Sequence, residues 1–236
     1  MYMTGYLPLF VDFKGRKVVV FGGGAVGERK ALYFSGSAEV TVISPFFTPV
    51  LLGLHDVTRI EKSVTPAEIK DLVAGAFLVV AATGDVTLDD AIVREAQEAG
   101  IFVNSAHGES GVILPSKIVR GDITIAIATN GRSPAMARYL RQRLEEALSD
   151  EMAGMVRLQA DLREVMRKTV PEQKDRERLL WDILKDQSVW EAMKTSYDDA
   201  LTLALMRLEN RIPRGQAHSS GDITADHFRE EMGKKS

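Results

Sequence analysis

An α/β fold, with a parallel sheet covered on both faces and an all-helical region after it, is predicted by three features of the sequence. Continuous apolar stretches alternate with helical ones over residues 17–104, whereas strands with one wet face would alternate apolar and polar residues. The first strand runs directly into a glycine-rich turn, in the stretch VVVFGGGAVGERKAL of residues 18–32. From Glu151 onward, apolar residues recur only at helical spacing.

Each element has its own local reason. Residues 17–21 read as a buried strand, 26–35 as a helix and 39–43 (EVTVI) as a second strand beyond the turn at Gly36, together a βαβ unit. Thr65-Pro66-Ala67-Glu68 offers an N-cap, a proline at the first helical position and a glutamate placed for a capping box, so a short helix is expected there. FLVVAA at 77–82 is the next strand. Thr87 precedes a helix over 88–99, with Leu88, Ala91, Ile92, Ala96 and Ala99 at helical spacing and Gly100 closing it. IFVN at 101–104 is a further strand, and the β-rich ITIAIAT at 123–129 another. Ser133 before Pro134 caps a long helix that reaches about Leu148. Three apolar stripes follow, Met155, Leu158, Leu162, Val165 and Met166, then Leu179, Leu180, Ile183 and Leu184, then Leu201, Leu205 and Leu208; they read as helix packing. Residues 212–236, with Pro213, glycines, serines and a Gly-Lys-Lys-Ser end, read as a flexible tail.

The glycine turn carries the first functional signal. Gly22, Gly24 and Gly27 stand at the spacing G-x-G-x-x-G between a strand and a helix, the dinucleotide-binding turn of a Rossmann-type domain. Glycine lets the backbone approach a pyrophosphate, and the first helical amides point unpaired N–H groups at it. Gly22, Gly23, Gly24, Ala25, Val26 and Gly27 are therefore candidate cofactor contacts; a tight turn without a ligand is the alternative. An acidic residue about 20 positions later usually binds the adenosine ribose. Here the second strand ends in Ile43-Ser44-Pro45, so Ser44 takes that place and the sequence does not separate NAD from NADP. Thr83 and Asp85 follow the FLVVAA strand at the carboxyl edge of the sheet, where open α/β folds bind ligands; they equally suit a bare helix N-terminus.

Composition excludes other chemistry. The 236 residues, 45% of them hydrophobic, can bury a substantial core. The chain has no cysteine, which excludes disulfides, thiolate nucleophiles and cysteine-held metal sites. A formal charge of −3 gives no global basic footprint for nucleic acid. No apolar run reaches the roughly 18 to 20 residues that cross a bilayer, and residues 1–13 lack the pattern of a signal peptide. A cytoplasmic protein that binds neither membrane nor nucleic acid is expected.

Several segments in order carry a resemblance: LPLFVDFKGRKVVVFGGGAVGERKAL, VVAATGD, the pair Val103-Asn104, LPSKIVRGD and ATNGRSPAMARYLRQRLE. Together they resemble the precorrin-2 dehydrogenase family, the first module of siroheme synthases, over about the first 150 residues. The helical remainder is similar to the family's C-terminal region. The resemblance implies NAD-dependent oxidation of precorrin-2, a polycarboxylated reduced tetrapyrrole, to sirohydrochlorin, with iron or cobalt insertion in some members. It also implies a homodimer in which the segment after the Rossmann domain crosses to the partner. The expected organisation is a Rossmann domain at 1–110, a dimerisation segment at 111–148, a helical domain at 149–211 and the tail at 212–236. ITIAIAT is too apolar for an exposed edge; a central strand buried within one subunit is the other way to cover it. A nucleotide-sensing regulatory module, binding NAD(H) without turnover, is the alternative function.

The resemblance also places the catalytic loop. The family carries a proton-accepting aspartate after its VN strand, and aligning the asparagines puts His107 at that position, in VNSAHGES. A neutral imidazole can take up a proton near pH 7; Glu109 is the substitute if the register shifts. Substrate carboxylates call for cations, and Lys117, Arg120, Arg132, Arg138 and Arg141 lie between or within the family-like motifs. Arg138 and Arg141 equally suit a solvated helix face, whereas Arg132 stands in the loop before a helix. Asn104 and Ser116 complete the candidate substrate contacts, Ser116 being equally a turn residue after proline. The histidines show no metal-ligand spacing.

Overall fold

The computed structural model describes residues 5–106 and 111–210. The chain parts into two compact units, Met1–Leu114 and Pro115–Ser236. In the first, β1 (Lys17–Phe21) leads to α1 (Ala25–Phe34), β2 (Glu39–Ser44), α2 (Pro49–Gly53) and β3 (Val57–Glu61). A 3-10 turn at Pro66–Glu68 continues into α3 (Ile69–Val73), β4 (Leu78–Ala81), α4 (Val86–Glu98) and β5 (Phe102–Ser105). All five strands are parallel, in the order β3-β2-β1-β4-β5. The order reverses between β1 and β4, so the crevice of this sheet opens at their carboxyl ends.

The side-chain period of two explains why the central strands are apolar throughout. Val18, Val20, Val42 and Val80 enter one core with Ala31 and Phe34 of α1. Val19, Phe21, Val79 and Val103 enter the other, against Ile69 of α3 and Ile92 of α4. Each fully buried aliphatic side chain contributes about 1.5–3 kcal/mol. The capping box forms as its residues dictate: Thr65 donates its backbone N–H and hydroxyl to Glu68 Oε2, at 2.9 and 2.7 Å. Hydrogen bonds from Lys62 and Thr65 hold the Glu68 carboxyl down at about 2.

The structure departs from the sequence reading at several points. Periodicity did not reveal α2 and β3. β3 is the sheet's edge, where only Val57 is buried, and its Arg59 guanidinium turns back to the carbonyls of Leu51 and Leu54 at 2.9 and 2.7 Å. α4 begins before Thr87, because the Asp85 carboxylate accepts the N–H groups of Thr87 and Leu88 at 2.9 and 3.2 Å and is the true cap. Residues 111–114, expected to open the dimerisation segment, belong to the first unit, where Val112 and Leu114 pack against its core.

In the second unit, β6 (Ser116–Arg120) and β7 (Ile123–Ile127) form an antiparallel pair with α5 (Pro134–Ala147) against it. ITIAIAT is therefore neither central nor buried. Its three isoleucines are half-buried and Thr124 and Ala126 exposed, and both strands of a two-stranded sheet are edges. α6 (Asp150–Thr169), α7 (Gln173–Leu184), α8 (Gln187–Thr195) and α9 (Tyr197–Glu209) bundle around the three expected stripes. α8 adds Val189 and Met193 to that core. The expected tail, 212–236, lies outside the described residues.

Candidate functional site

The glycine turn joins β1 to α1 at the crevice, and its glycines have different reasons to lack a side chain. Gly22 has φ +113, and a Cβ on it would lie 2.1 Å from the Ala82 carbonyl oxygen. A Cβ on Gly27 would lie 1.8 Å from the Gly22 carbonyl oxygen, and one on Gly23 2.1 Å from that of Phe46. Gly24 differs: its added Cβ meets nothing nearer than a Phe46 ring carbon at 4.0 Å. Among the described residues no atom takes the space over Gly24, while Gly22, Gly23 and Gly27 are held by close backbone approach. Gly24 is also the N-cap of α1 and brings no side chain to the helix's first amides, at Ala25, Val26 and Gly27. Ala25 and Val26 are exposed. A pyrophosphate fits this cradle, since bare helical amides offer both hydrogen bonds and positive potential.

Ser44 sits beneath the turn. It is 3% exposed, packs where a Cβ on Gly23 would meet it, and its Oγ accepts the Phe46 N–H at 3.4 Å. The end of β2 thus carries a buried hydroxyl in the place of the usual acid.

The crevice's other wall is the turn from β4 into α4. Thr83 donates its N–H and its hydroxyl to Asp89 Oδ1 at 2.9 and 2.7 Å, and its Oγ1 accepts the Asp85 N–H at 3.1 Å. Thr83 and Asp85, read from the sequence as cofactor contacts, are thus engaged in shaping the turn. Asp89 was missed. It is 1% exposed, and its Oδ2 has no partner among the described residues. A buried acid inside an apolar helical stripe is the signal that could have found it, since burial of an acid is rare without a task.

Asn104, the penultimate residue of β5, is 5% exposed. Its Nδ2 donates to the Val112 carbonyl at 2.7 Å, and its Oδ1 has no partner among the described residues. Val112 N–H also bonds the Val103 carbonyl at 3.0 Å, and Ala106 N–H the Ala81 carbonyl at 2.9 Å. The loop that carries His107 and Glu109 is therefore tied at both ends, though both residues lie outside the described ones. Ser116 and Lys117 open β6 in the second unit. Arg120 pairs with Asp150 at 2.7 Å and Arg141 with Glu145 at 2.6 Å, so the solvated reading suits Arg141. Arg132 is exposed and follows a turn in which Asn130 and Gly131 have positive φ. Among the described residues no group of three or more acids and histidines could hold a metal ion.

Known proteins give this geometry a family. Residues 9–116 match the model described as putative NAD(P)-binding, and residues 120–147 that of the central region of sirohaem biosynthesis proteins. A precorrin-2 dehydrogenase of Methanosarcina barkeri is 40% identical over 203 residues, which cover 84% of this chain and 91% of that one. The chain belongs to the precorrin-2 dehydrogenase family. A siroheme synthase of Aeromonas salmonicida is 31% identical over 212 residues, covering 84% of this chain but 43% of its own length; the chain spans less than half of such synthases. The solved structure of SirC, precorrin-2 dehydrogenase, shares the fold, with a TM-score of 0.65 over 97% of this chain and 100% of that one at 20% identity.

The glycines separate binding from folding. Gly24→Ala is expected to leave thermal stability unchanged and to weaken NAD binding in calorimetric titration. Gly27→Ala should lower stability by roughly 1–3 kcal/mol or more, because its clash is with backbone. Equal stability losses in the two variants would contradict the assignment.

Proposed function

We propose that this chain oxidises precorrin-2 to sirohydrochlorin with NAD as hydride acceptor, in siroheme biosynthesis. The observation that carries the reading is the open space over Gly24 beside uncapped α1 amides, in a chain 40% identical to a precorrin-2 dehydrogenase along 91% of that relative. A regulatory module without turnover is not favoured by that likeness. The α1 amides hold the pyrophosphate, with Ser44 in place of the ribose-binding acid. When bound, the nucleotide supplies the hydride acceptor. The substrate must also lose a proton, and His107 accepts it, with Glu109 as the neighbouring alternative. Asn104 fixes the exit of that loop through Val112. Lys117, Arg132 and Ser116 receive substrate carboxylates. Arg120 joins them by exchanging Asp150, since an exposed pair is worth only about 0–1 kcal/mol. No helix among the described residues is long and apolar enough to cross a membrane, and a cytoplasmic location is part of the proposal.

The proposal includes a homodimer built on residues 115–148. α5 has no buried residue, and Met136, Tyr139 and Leu144 stand exposed on it. In the β6–β7 pair only Ile118 is buried, while Val119 is 58% exposed. A two-stranded ribbon is marginal alone, and open apolar edges invite pairing. A second copy of the chain satisfies both.

Two measurements test these readings. Anaerobic incubation with precorrin-2 and NAD should yield NADH and sirohydrochlorin by absorbance. His107→Ala should lose about 10²- to 10⁴-fold in rate with NAD affinity intact, and His107→Asp should keep activity with its acid limb at lower pH. Equal rates for wild type and His107→Ala would move the base to Glu109 or solvent. In sedimentation at micromolar concentration, the chain should run at twice its 26.0 kDa mass. A monomer throughout that range would remove the dimer.

A further inference from the structure

We infer that Asp89 is a positioning residue for the nicotinamide half of the nucleotide, acting through Thr83. The inference rests on the nucleotide-binding reading of the first unit and deepens it. Two turns wall the crevice between β1 and β4. The missing Cβ of Gly22 would lie 2.1 Å from the Ala82 carbonyl oxygen and 3.1 Å from Thr83 Cα, so the glycine turn rests directly on the turn that Asp89 holds. A dinucleotide lies across such a reversal of strand order. With its adenosine on the β2 side, its nicotinamide half comes to the β4 side.

Asp89 is more than this turn's architecture needs. Asp85 already caps α4 by accepting the Thr87 and Leu88 amides. A second carboxylate, 1% exposed and with Oδ2 unpartnered among the described residues, burdens the fold, because a buried acceptor without a donor is costly. What that second carboxylate does is take up both donors of Thr83, its N–H and its hydroxyl, on a single oxygen. With both donors so occupied, the group the Thr83 backbone leaves for a ligand is its carbonyl oxygen, an acceptor. Acceptors suit the nicotinamide half, whose ribose hydroxyls and carboxamide N–H groups are donors. Because only Oδ1 is used, the task needs an acceptor and not a charge.

Titration calorimetry with NAD and with ADP tests this. ADP reports the adenosine and pyrophosphate subsites alone, so it separates a local effect from a general loosening of the sheet. Wild type should bind both. Asp89→Ala should lose about tenfold in NAD affinity, the scale of one hydrogen bond to a charged group, with ADP affinity unchanged. Asp89→Asn keeps the Oδ1 acceptor and should bind NAD within about twofold of wild type. Should Asp89→Ala fail to fold, Thr83→Val serves instead; it removes the hydroxyl, keeps the N–H bond and should weaken NAD severalfold and not ADP. Unchanged NAD affinity in Asp89→Ala, or in Thr83→Val where that variant stands in, overturns the inference. So does an equal loss of NAD and ADP, or an Asp89→Asn variant as weak as Asp89→Ala. A wild type that binds neither nucleotide overturns the nucleotide reading itself.

Discussion

The contact between α1 and the end of β1, at Gly27 over the Gly22 carbonyl, is the constraint on which the rest of the first unit depends. A missing methyl group brings the helix into contact with the backbone of the turn, and that seating aims its uncapped amides at the crevice. The same turn presses on Ser44 from β2 and on Ala82 and Thr83 from β4. One tightly packed corner therefore fixes three strand ends relative to one another. Of the turn's four glycines, Gly24 at the helix cap is the one whose Cβ direction is open, and that is the space the proposed nucleotide would use.

Much of this was legible in the sequence because it is written in short-range rules. Short apolar runs rich in β-branched residues, such as VVVF before its glycines and LVVA, read as strands covered on both faces, and Thr65 with Glu68 announces its own capping box. The glycine spacing located the turn proposed as the cofactor cradle, but not which glycine is structural, since that depends on what backbone lies opposite each one. β3 was hidden because an edge strand needs only Val57 to be apolar. Asp85 and Thr87 were interchangeable as caps on composition; geometry gave the role to the aspartate. Asp89 escaped notice for a related reason, being one of two acids in TLDD, and what sets it apart is its helical spacing from the buried Ile92 and Ala96.

The second unit was legible in its helices and much less so in its hairpin. The stripes of Met155, Leu158 and Leu162 or of Leu201 and Leu205 repeat at the helical period and pack as read. ITIAIAT posed a question that periodicity could not answer, because an apolar strand says that it will be covered and not by what. Within one chain it remains half-covered, and the neighbouring α5 buries none of its residues. The proposed dimer would supply the missing cover, with association contributing part of the segment's folding free energy.

The ties at Ala106 and Val112 bear on how a family changes its chemistry. Both ends of that loop are fastened by main-chain hydrogen bonds to Ala81 and Val103 and by the Asn104 amide, none of which involves a side chain from within the loop. Neither tie depends on which side chains stand at 107–110, so on the proposed assignment of His107 as the base an aspartate there would keep both fastenings and change the proton acceptor alone.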